Sequence, residues 1–427
     1  MRDLGVLILV AGGGKRPRVG KPAACSSILG KPLLKIVTDV VSDLKPSRIV
    51  VAAAGRLQEI RELIGRRDVR IVAVKDDAGV TEAVLAAQKA FSPFQDIDLL
   101  MVDADLPLLT PPTLRALLKR HRREGDSLTF LHDEQRRDAG VCLCRSLDLF
   151  QALPGISSSR TEVFPLVGLI EAMFLAGKKS GACEAPDPEE IFRVDTPADL
   201  GRAAVVLRNR KNRELAQRGV TVWDPASTWV DLDVEIGSGT VLYPSVIIEG
   251  NSMVGHDCRI QPFTHIAATK IGNRVIVRGS TVIEESVLED DVRVGPFARI
   301  RPQTLIRRGA HVGNFVEMKN TDFGANSKAG HLSYLGDSEV GQDVNIGAGT
   351  ITCNYDGVKK NRTEIGAGAF IGSGTELVAP VKVGRGAYVG AGSTITKDVS
   401  PDALAIARGR QFEKPGWAKS RRGKKKK

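Results

Sequence analysis

Apolar residues in the second half of the chain recur every six positions. Ile236, Leu242, Ile248, Val254, Ile260 and Ile266 form one run. After one-residue slips come Ile271, Val277 and Ile283, then Leu288, Val294, Ile300, Ile306, Val312 and Met318. A last series is Ile365, Ile371, Leu377, Val383, Val389 and Ile395. This period fits neither an amphipathic helix nor an alternating strand. It predicts a prism-shaped β-solenoid with one short strand per face and every sixth side chain pointing into the axis. The polar stretch from Cys353 to Glu364 breaks the period and predicts an outward loop.

The first half obeys other rules. Leu7-Ile8-Leu9-Val10-Ala11 predicts a buried parallel strand that runs into Gly12-Gly13-Gly14-Lys15-Arg16. Glycines let backbone N–H groups approach a phosphate, and the two cations add charge; a merely tight turn is the competing reading. A helix near Leu34 to Leu44, a strand from Arg48 to Ala52, a helix from Gln58 and a strand from Val69 to Val74 follow. A helix from Thr81 to Phe91 and a strand from Asp98 to Val102 come next. The alternation predicts a Rossmann-like α/β domain with a doubly wound parallel sheet and ligands at the carboxyl ends of its strands. Asp103, Asp105 and Asp195 follow such strands. Asp105 and Asp195 are candidate Mg²⁺ ligands, because a hard cation takes oxygen donors and bridges phosphates. Asp195 or Thr196 serves equally as a cap for the helix starting near Pro197.

These patterns divide the chain into an α/β domain over 1–200, a linker helix over 201–222, the solenoid over 223–400 and a basic tail over 401–427. Across 427 residues the net charge is +11. Part of it sits in the tail Arg421-Arg422-Gly423-Lys424-Lys425-Lys426-Lys427, which reads as a solvated terminus rather than a nucleic-acid site. The remaining charge suits anionic small ligands. Six cysteines form no CxxC pair, so neither a disulfide framework nor a zinc site is expected, and a reducing cytoplasm fits. The apolar run from Leu4 to Ala11 is too short to span a bilayer, and no membrane association is expected.

The stretches Val294-Gly295-Pro296-Phe297-Ala298-Arg299-Ile300-Arg301-Pro302, Val312-Gly313-Asn314-Phe315-Val316-Glu317-Met318-Lys319, Ala329-Gly330-His331-Leu332-Ser333-Tyr334 and Val344 to Gly357 resemble one bacterial family. It is the bifunctional N-acetylglucosamine-1-phosphate uridylyltransferase/glucosamine-1-phosphate N-acetyltransferase family, GlmU. The resemblance implies a left-handed parallel β-helix, a homotrimer with acetyl sites between subunits, and acetyl transfer from acetyl-CoA to glucosamine-1-phosphate. It implies His331 as general base, with Asn354 orienting it. It also implies Arg301, Lys319, Tyr334 and Asn345 on the sugar phosphate, and Ala348, Asn354, Tyr355, Ser373, Ala391 and Arg408 on acetyl-CoA. Chemistry agrees for the histidine, since an amine attacking a thioester must shed a proton. His311, beside Gly309-Ala310, reads as structural.

The first half resembles the family's nucleotidyltransferase domain more thinly. Leu9, Val10, Ala11, Gly12, Gly13, Gly14, Lys15 and Arg16 match its phosphate loop, and Lys21, Gly79, Asp103 and Asp105 its nucleotide site. Asp105 and Asp195 match the Mg²⁺ ligands for uridylyl transfer from UTP. Lys21 lies two residues early, Val74 stands where a uracil-reading Gln is expected, Val80 replaces a Thr, and Asp138 replaces an Asn. The stretch between Thr129 and Gly140 looks shortened. Two enzyme readings follow: a bifunctional enzyme, or an acetyltransferase whose first domain is inactive or uses another nucleotide or sugar phosphate. A scaffold that binds through its basic tail is the non-enzymatic alternative, and it predicts that His331→Ala is harmless.

Overall fold

A computed structural model describes residues 2–10, 23–75, 80–91, 96–134, 138–153 and 172–423. The chain forms two compact units, Met1–Arg210 and Lys211–Lys427.

The first unit is built on a seven-stranded sheet. Its order is Val69–Val74, Arg48–Ala54, Asp3–Val10, Ile97–Asp103, Asp138–Arg145, Leu128–His132, Ser180–Glu184. The expected strands at 48–52, 69–74 and 98–102 are present, extended by a few residues at most, and that expected at 7–11 is present as Asp3–Val10 in the described residues. Their continuous apolar runs are buried on both faces: Val6, Ile8 and Val10 pack on one side, Leu7 and Leu9 on the other. One strand departs from the parallel expectation. Asp138–Arg145 runs antiparallel to both Ile97–Asp103 and Leu128–His132. An apolar run encodes burial but not direction, so the reversal left no mark in the sequence. Leu9 pairs with Asp103, and the Ala104 amide donates to Leu9 O at 3.0 Å. The two acidic positions therefore leave the sheet beside the carboxyl end of its first strand.

The helix Pro197–Gln217 starts at Pro197, four residues before the linker helix expected over 201–222. Thr196 and Asp199 form its N-terminal box: Asp199 Oδ2 accepts from the Thr196 amide at 2.9 Å, and Thr196 Oγ1 accepts from the Asp199 amide at 3.2 Å. Capping thus falls to Thr196 and Asp199, which releases the Asp195 side chain from that role.

The second unit is the solenoid. Strands of two to seven residues stack in parallel on three faces, from Thr221–Val222 to Leu404–Ala405. Val241 pairs with Arg259, eighteen residues on, which is three hexads per coil. Arg259 pairs with Ile276, seventeen on, so each sequence slip is one residue dropped at a corner. Every hexad side chain is buried; Leu242, Ile260, Ile300, Val312 and Met318 have no exposed surface. Each contributes about 1.5–3 kcal/mol by leaving water. This single column of aliphatic side chains holds the coils in register.

Of the expected loop from Cys353 to Glu364, only 355–362 leaves the prism, as an exposed hairpin; Cys353, Thr363 and Glu364 stay in its strands. Asp356 Oδ1 accepts from the amides of Val358 at 2.9 Å and Lys359 at 2.8 Å, and its Oδ2 accepts from Asn361 Nδ2 at 2.8 Å. Those bonds hold the Asp356 carboxyl down at a pKa of about 2.

Candidate functional site

The strand Lys328–His331 sends Ala329 into the axis and ends at a corner where Leu332 has a φ of 48°. The turn leaves the preceding side chain outward, and His331 is exposed rather than packed among aliphatic groups. Its Nδ1 lies 2.5 Å from Oδ1 of Asn314, its neighbour in register one coil earlier. An amide oxygen only accepts, so Nδ1 carries the proton and Nε2 keeps its lone pair. Within one chain the ring is held by Asn314 and not by Asn354, for which an orienting role was expected. Asn354 lies beyond the corner, where its Nδ2 donates to Asp337 Oδ2 at 2.5 Å. Asn314 was missed, although its position seventeen residues before His331 is the coil spacing. His311 is half-buried; burial and the nearby Arg278, Arg293, Lys328 and His331 lower its pKa.

The same corner collects most of the acetyl-CoA candidates. The Gly349 amide donates to Leu332 O at 2.8 Å, Gly374 to Ala348 O at 2.7 Å and Gly392 to Ser373 O at 2.8 Å. Ala348, Ser373 and Ala391 therefore follow His331 up one column. Arg408 closes it, with Nη1 donating to Ala391 O at 2.8 Å. Small side chains at three successive rungs leave a shallow path along the corner. Tyr355 stands apart on the hairpin, exposed, its hydroxyl donating to Gly357 O at 2.7 Å.

The next face carries the sugar-phosphate candidates. Glu317 pairs with Tyr334 and Lys319 with Gly336 across adjacent strands. Arg301 Nη1 donates to Glu317 Oε1 at 2.8 Å. Gly336 is required by close approach: a Cβ there would fall 2.4 Å from the Tyr334 hydroxyl and 2.8 Å from Asn354 Nδ2. Lys319 is crowded by Lys360 and Arg301, which push its pKa below 10.5. Lys360, on the hairpin, was not singled out from the sequence. Hairpin and prism thus converge three cations on one spot, an arrangement made for a phosphate dianion. Asn345 is not drawn into this cluster within one chain; it begins its strand between Lys328 and Phe370, three residues before Ala348.

In the first unit, Leu9 and Val10 end the first strand, both buried. Ala11, Gly12, Gly13, Gly14, Lys15, Arg16, Lys21 and Gly79 lie outside the described residues. Asp103 and Asp105 are almost fully buried and both face Arg193. Arg193 Nη1 lies 3.1 Å from each Asp105 oxygen, and Nη2 lies 2.6 Å from Asp103 Oδ2. Burial works against the guanidinium, but Asp103, Asp105 and Asp195 outweigh it and raise its pKa. The Val194 amide donates to Asp105 O at 3.0 Å, which brings Asp195 to the same end of the sheet. Oxygen donors of this kind suit Mg²⁺. Among the described residues no cluster of three metal-binding side chains is preformed. Val74 ends its strand half-buried.

Comparison with known proteins assigns both halves. Residues 6–164 match the MobA-like NTP transferase domain, and residues 362–397 match the bacterial transferase hexapeptide (six repeats). A Bifunctional protein GlmU of Geotalea uraniireducens (strain Rf4) is 34% identical, over 98% of this chain and 99% of its own. Those of Lactobacillus delbrueckii subsp. bulgaricus (strain ATCC BAA-365 / Lb-18) and Fervidobacterium nodosum are 36% and 38% identical, over 96% and 98% of this chain and 96% and 97% of their own.

Proposed function

The chain belongs to the GlmU family, and we propose that its solenoid acetylates glucosamine-1-phosphate at the corner built around His331. The protein is a bifunctional transferase of UDP-N-acetylglucosamine synthesis, with acetyl transfer in one half and uridylyl transfer in the other. The observation that carries the site assignment is the exposed His331, its tautomer set by Asn314, at the foot of the Ala348, Ser373 and Ala391 column.

In this reading Nε2 of His331 takes the proton as the sugar amine attacks the acetyl carbonyl carbon. The N–C bond forms, the C–S bond breaks, and the departing thiolate can take the proton from the imidazolium. Arg301, Lys319 and Lys360 hold the sugar phosphate, with Tyr334 beside them. The corner column and Arg408 carry acetyl-CoA. Asn345, Asn354 and Tyr355 would belong to a site completed by a neighbouring protomer, and the working unit would be a homotrimer. Exposed apolar residues support that assembly: Phe297 and Phe315 stack at 5.3 Å along one corner, and Val358 stands at the hairpin tip.

In the nucleotidyl half the phosphate loop and Asp103 cradle UTP. Asp105 and Asp195 would hold Mg²⁺, which would supply charge neutralisation at the phosphates. The chain's own groups position the sugar phosphate for attack on the α-phosphorus, with pyrophosphate leaving. No described helix is long and apolar enough to cross a membrane; the cytoplasm, where these small substrates meet, is the proposed compartment.

One tube tests both halves. Glucosamine-1-phosphate, acetyl-CoA, Mg²⁺ and a mixture of nucleoside triphosphates are incubated with wild type and with His331→Ala, and products are read by mass. Wild type gives the N-acetylated sugar phosphate and UDP-N-acetylglucosamine. His331→Ala lowers acetylation about 10²–10⁴-fold, while added N-acetylglucosamine-1-phosphate is still converted. Full acetylation by the variant would overturn the assignment.

A further inference from the structure

Arg193 occupies the acidic cradle that the nucleotidyl half needs for its metal. Its Nη1 lies within 3.1 Å of both Asp105 oxygens and its Nη2 within 2.6 Å of Asp103 Oδ2, so one guanidinium spans two carboxylates. The fold is shaped to receive it. Gly140, at φ +70°, packs over the contact, and a Cβ there would fall 2.3 Å from Arg193 Nη2 and 2.7 Å from Asp103 Oδ2. The bond from the Val194 amide to Asp105 O at 3.0 Å fixes the backbone next to the arginine.

Mg²⁺ places its oxygen ligands at about 2.0–2.1 Å in octahedral geometry. Nη1, straddling both Asp105 oxygens, competes with the ion for them. Two buried, ionised carboxylates repel each other, and Arg193 offsets that repulsion by pairing with both. We propose that Arg193 is an internal latch: it neutralises Asp103 and Asp105 in the metal-free enzyme and swings out when a divalent cation enters. Metal loading then becomes a competition between a residue of the chain and the ion. The inference rests on the metal-dependent nucleotidyl reading above.

The test is Mn²⁺ binding to the full-length protein, followed by electron paramagnetic resonance, for wild type and Arg193→Gln. A latch closed nine-tenths of the time weakens apparent affinity about tenfold, because only the open fraction binds. Arg193→Gln is therefore expected to bind Mn²⁺ about tenfold more tightly or better. Equal affinity overturns the latch and leaves the metal site standing. Absence of Mn²⁺ binding by both proteins overturns the metal reading and the latch together. A second measurement needs no variant. Mg²⁺ is titrated into wild type carrying ¹⁵N-arginine. The Arg193 side-chain N–H signals are expected to pass from slow to rapid exchange with solvent as the metal binds. Signals that stay protected in the Mg²⁺-loaded protein overturn the proposal and reduce any tighter Mn²⁺ binding by Arg193→Gln to a charge effect of the substitution.

Discussion

Asn314 accepts a hydrogen bond from His331 Nδ1 at 2.5 Å across one coil of the prism. The two residues are seventeen apart in sequence and in direct register in space. Their contact decides which imidazole nitrogen faces outward with a lone pair. A base on an exposed corner has few packing neighbours to hold its ring, so this one bond does most of the orienting.

Asn314→Ala is therefore expected to lower kcat for acetyl transfer about 10–100-fold with little change in KM, the scale seen when a supporting partner is removed. Asn314→Asp keeps an acceptor and adds charge. It should recover most of kcat and move the acid limb of the pH–rate profile upward, because a carboxylate favours the imidazolium. Steady-state kinetics over pH separates the two. A profile unchanged in both variants would assign the orienting role elsewhere.

Lys319 gives a prediction with a sign. Its pKa lies below 10.5 because Lys360 and Arg301 crowd it. A phosphate dianion relieves that crowding and raises the pKa again. Between the lowered pKa of the free protein and the higher pKa of the complex, binding of glucosamine-1-phosphate takes up protons, and well below that alkaline range it does not. Calorimetry in buffers of different ionisation enthalpy reads the uptake directly. Lys360→Met should shrink it and raise KM for the sugar phosphate about tenfold or more, the value of one charged hydrogen bond.

How far the sequence carried these conclusions depends on the range of each interaction. The hexad positions were legible because one short-range rule, a side chain into the axis every sixth residue, governs them all, and Ile300, Val312 and Met318 are buried as expected. His331 was legible as a polar residue outside that frame. Asn314 was not, because pairing it with His331 requires the one-residue slip between those coils. Lys360 needed the fold of the hairpin that Asp356 anchors. Arg193 was the least legible. It lies about ninety residues from Asp103 and Asp105, and only the close of the sheet brings them together.

Gly336 tests whether the sugar face depends on close packing. A methyl group there would meet the Tyr334 hydroxyl at 2.4 Å and the Asn354 amide at 2.8 Å, so both must shift. A displacement near 1 Å costs about 10²-fold when reacting groups are misplaced. Gly336→Ala should therefore lose about 10²-fold in acetyl transfer while its thermal midpoint stays within a few degrees of wild type. The neighbouring uridylyl activity, assayed with N-acetylglucosamine-1-phosphate supplied, should be untouched. Loss of both activities together would point to unfolding instead.

Val74 sets the last expectation, on nucleotide choice. It ends the Val69–Val74 strand half-buried, where the family resemblance expects an amide that reads uracil. A valine side chain offers neither donor nor acceptor to a pyrimidine edge. Sites that hydrogen-bond a substrate reject an analogue lacking that group by about 10⁴–10⁵, whereas apolar contacts discriminate by only about 10². The wild-type protein is therefore expected to prefer UTP over CTP by no more than about 10² in kcat/KM. Val74→Gln should widen the preference by restoring paired hydrogen bonds to the base. Competition between the two triphosphates, with products separated by mass, measures both ratios in one reaction. A wild-type preference of 10⁴ or more would mean that another group reads the base and that Val74 only packs beside it.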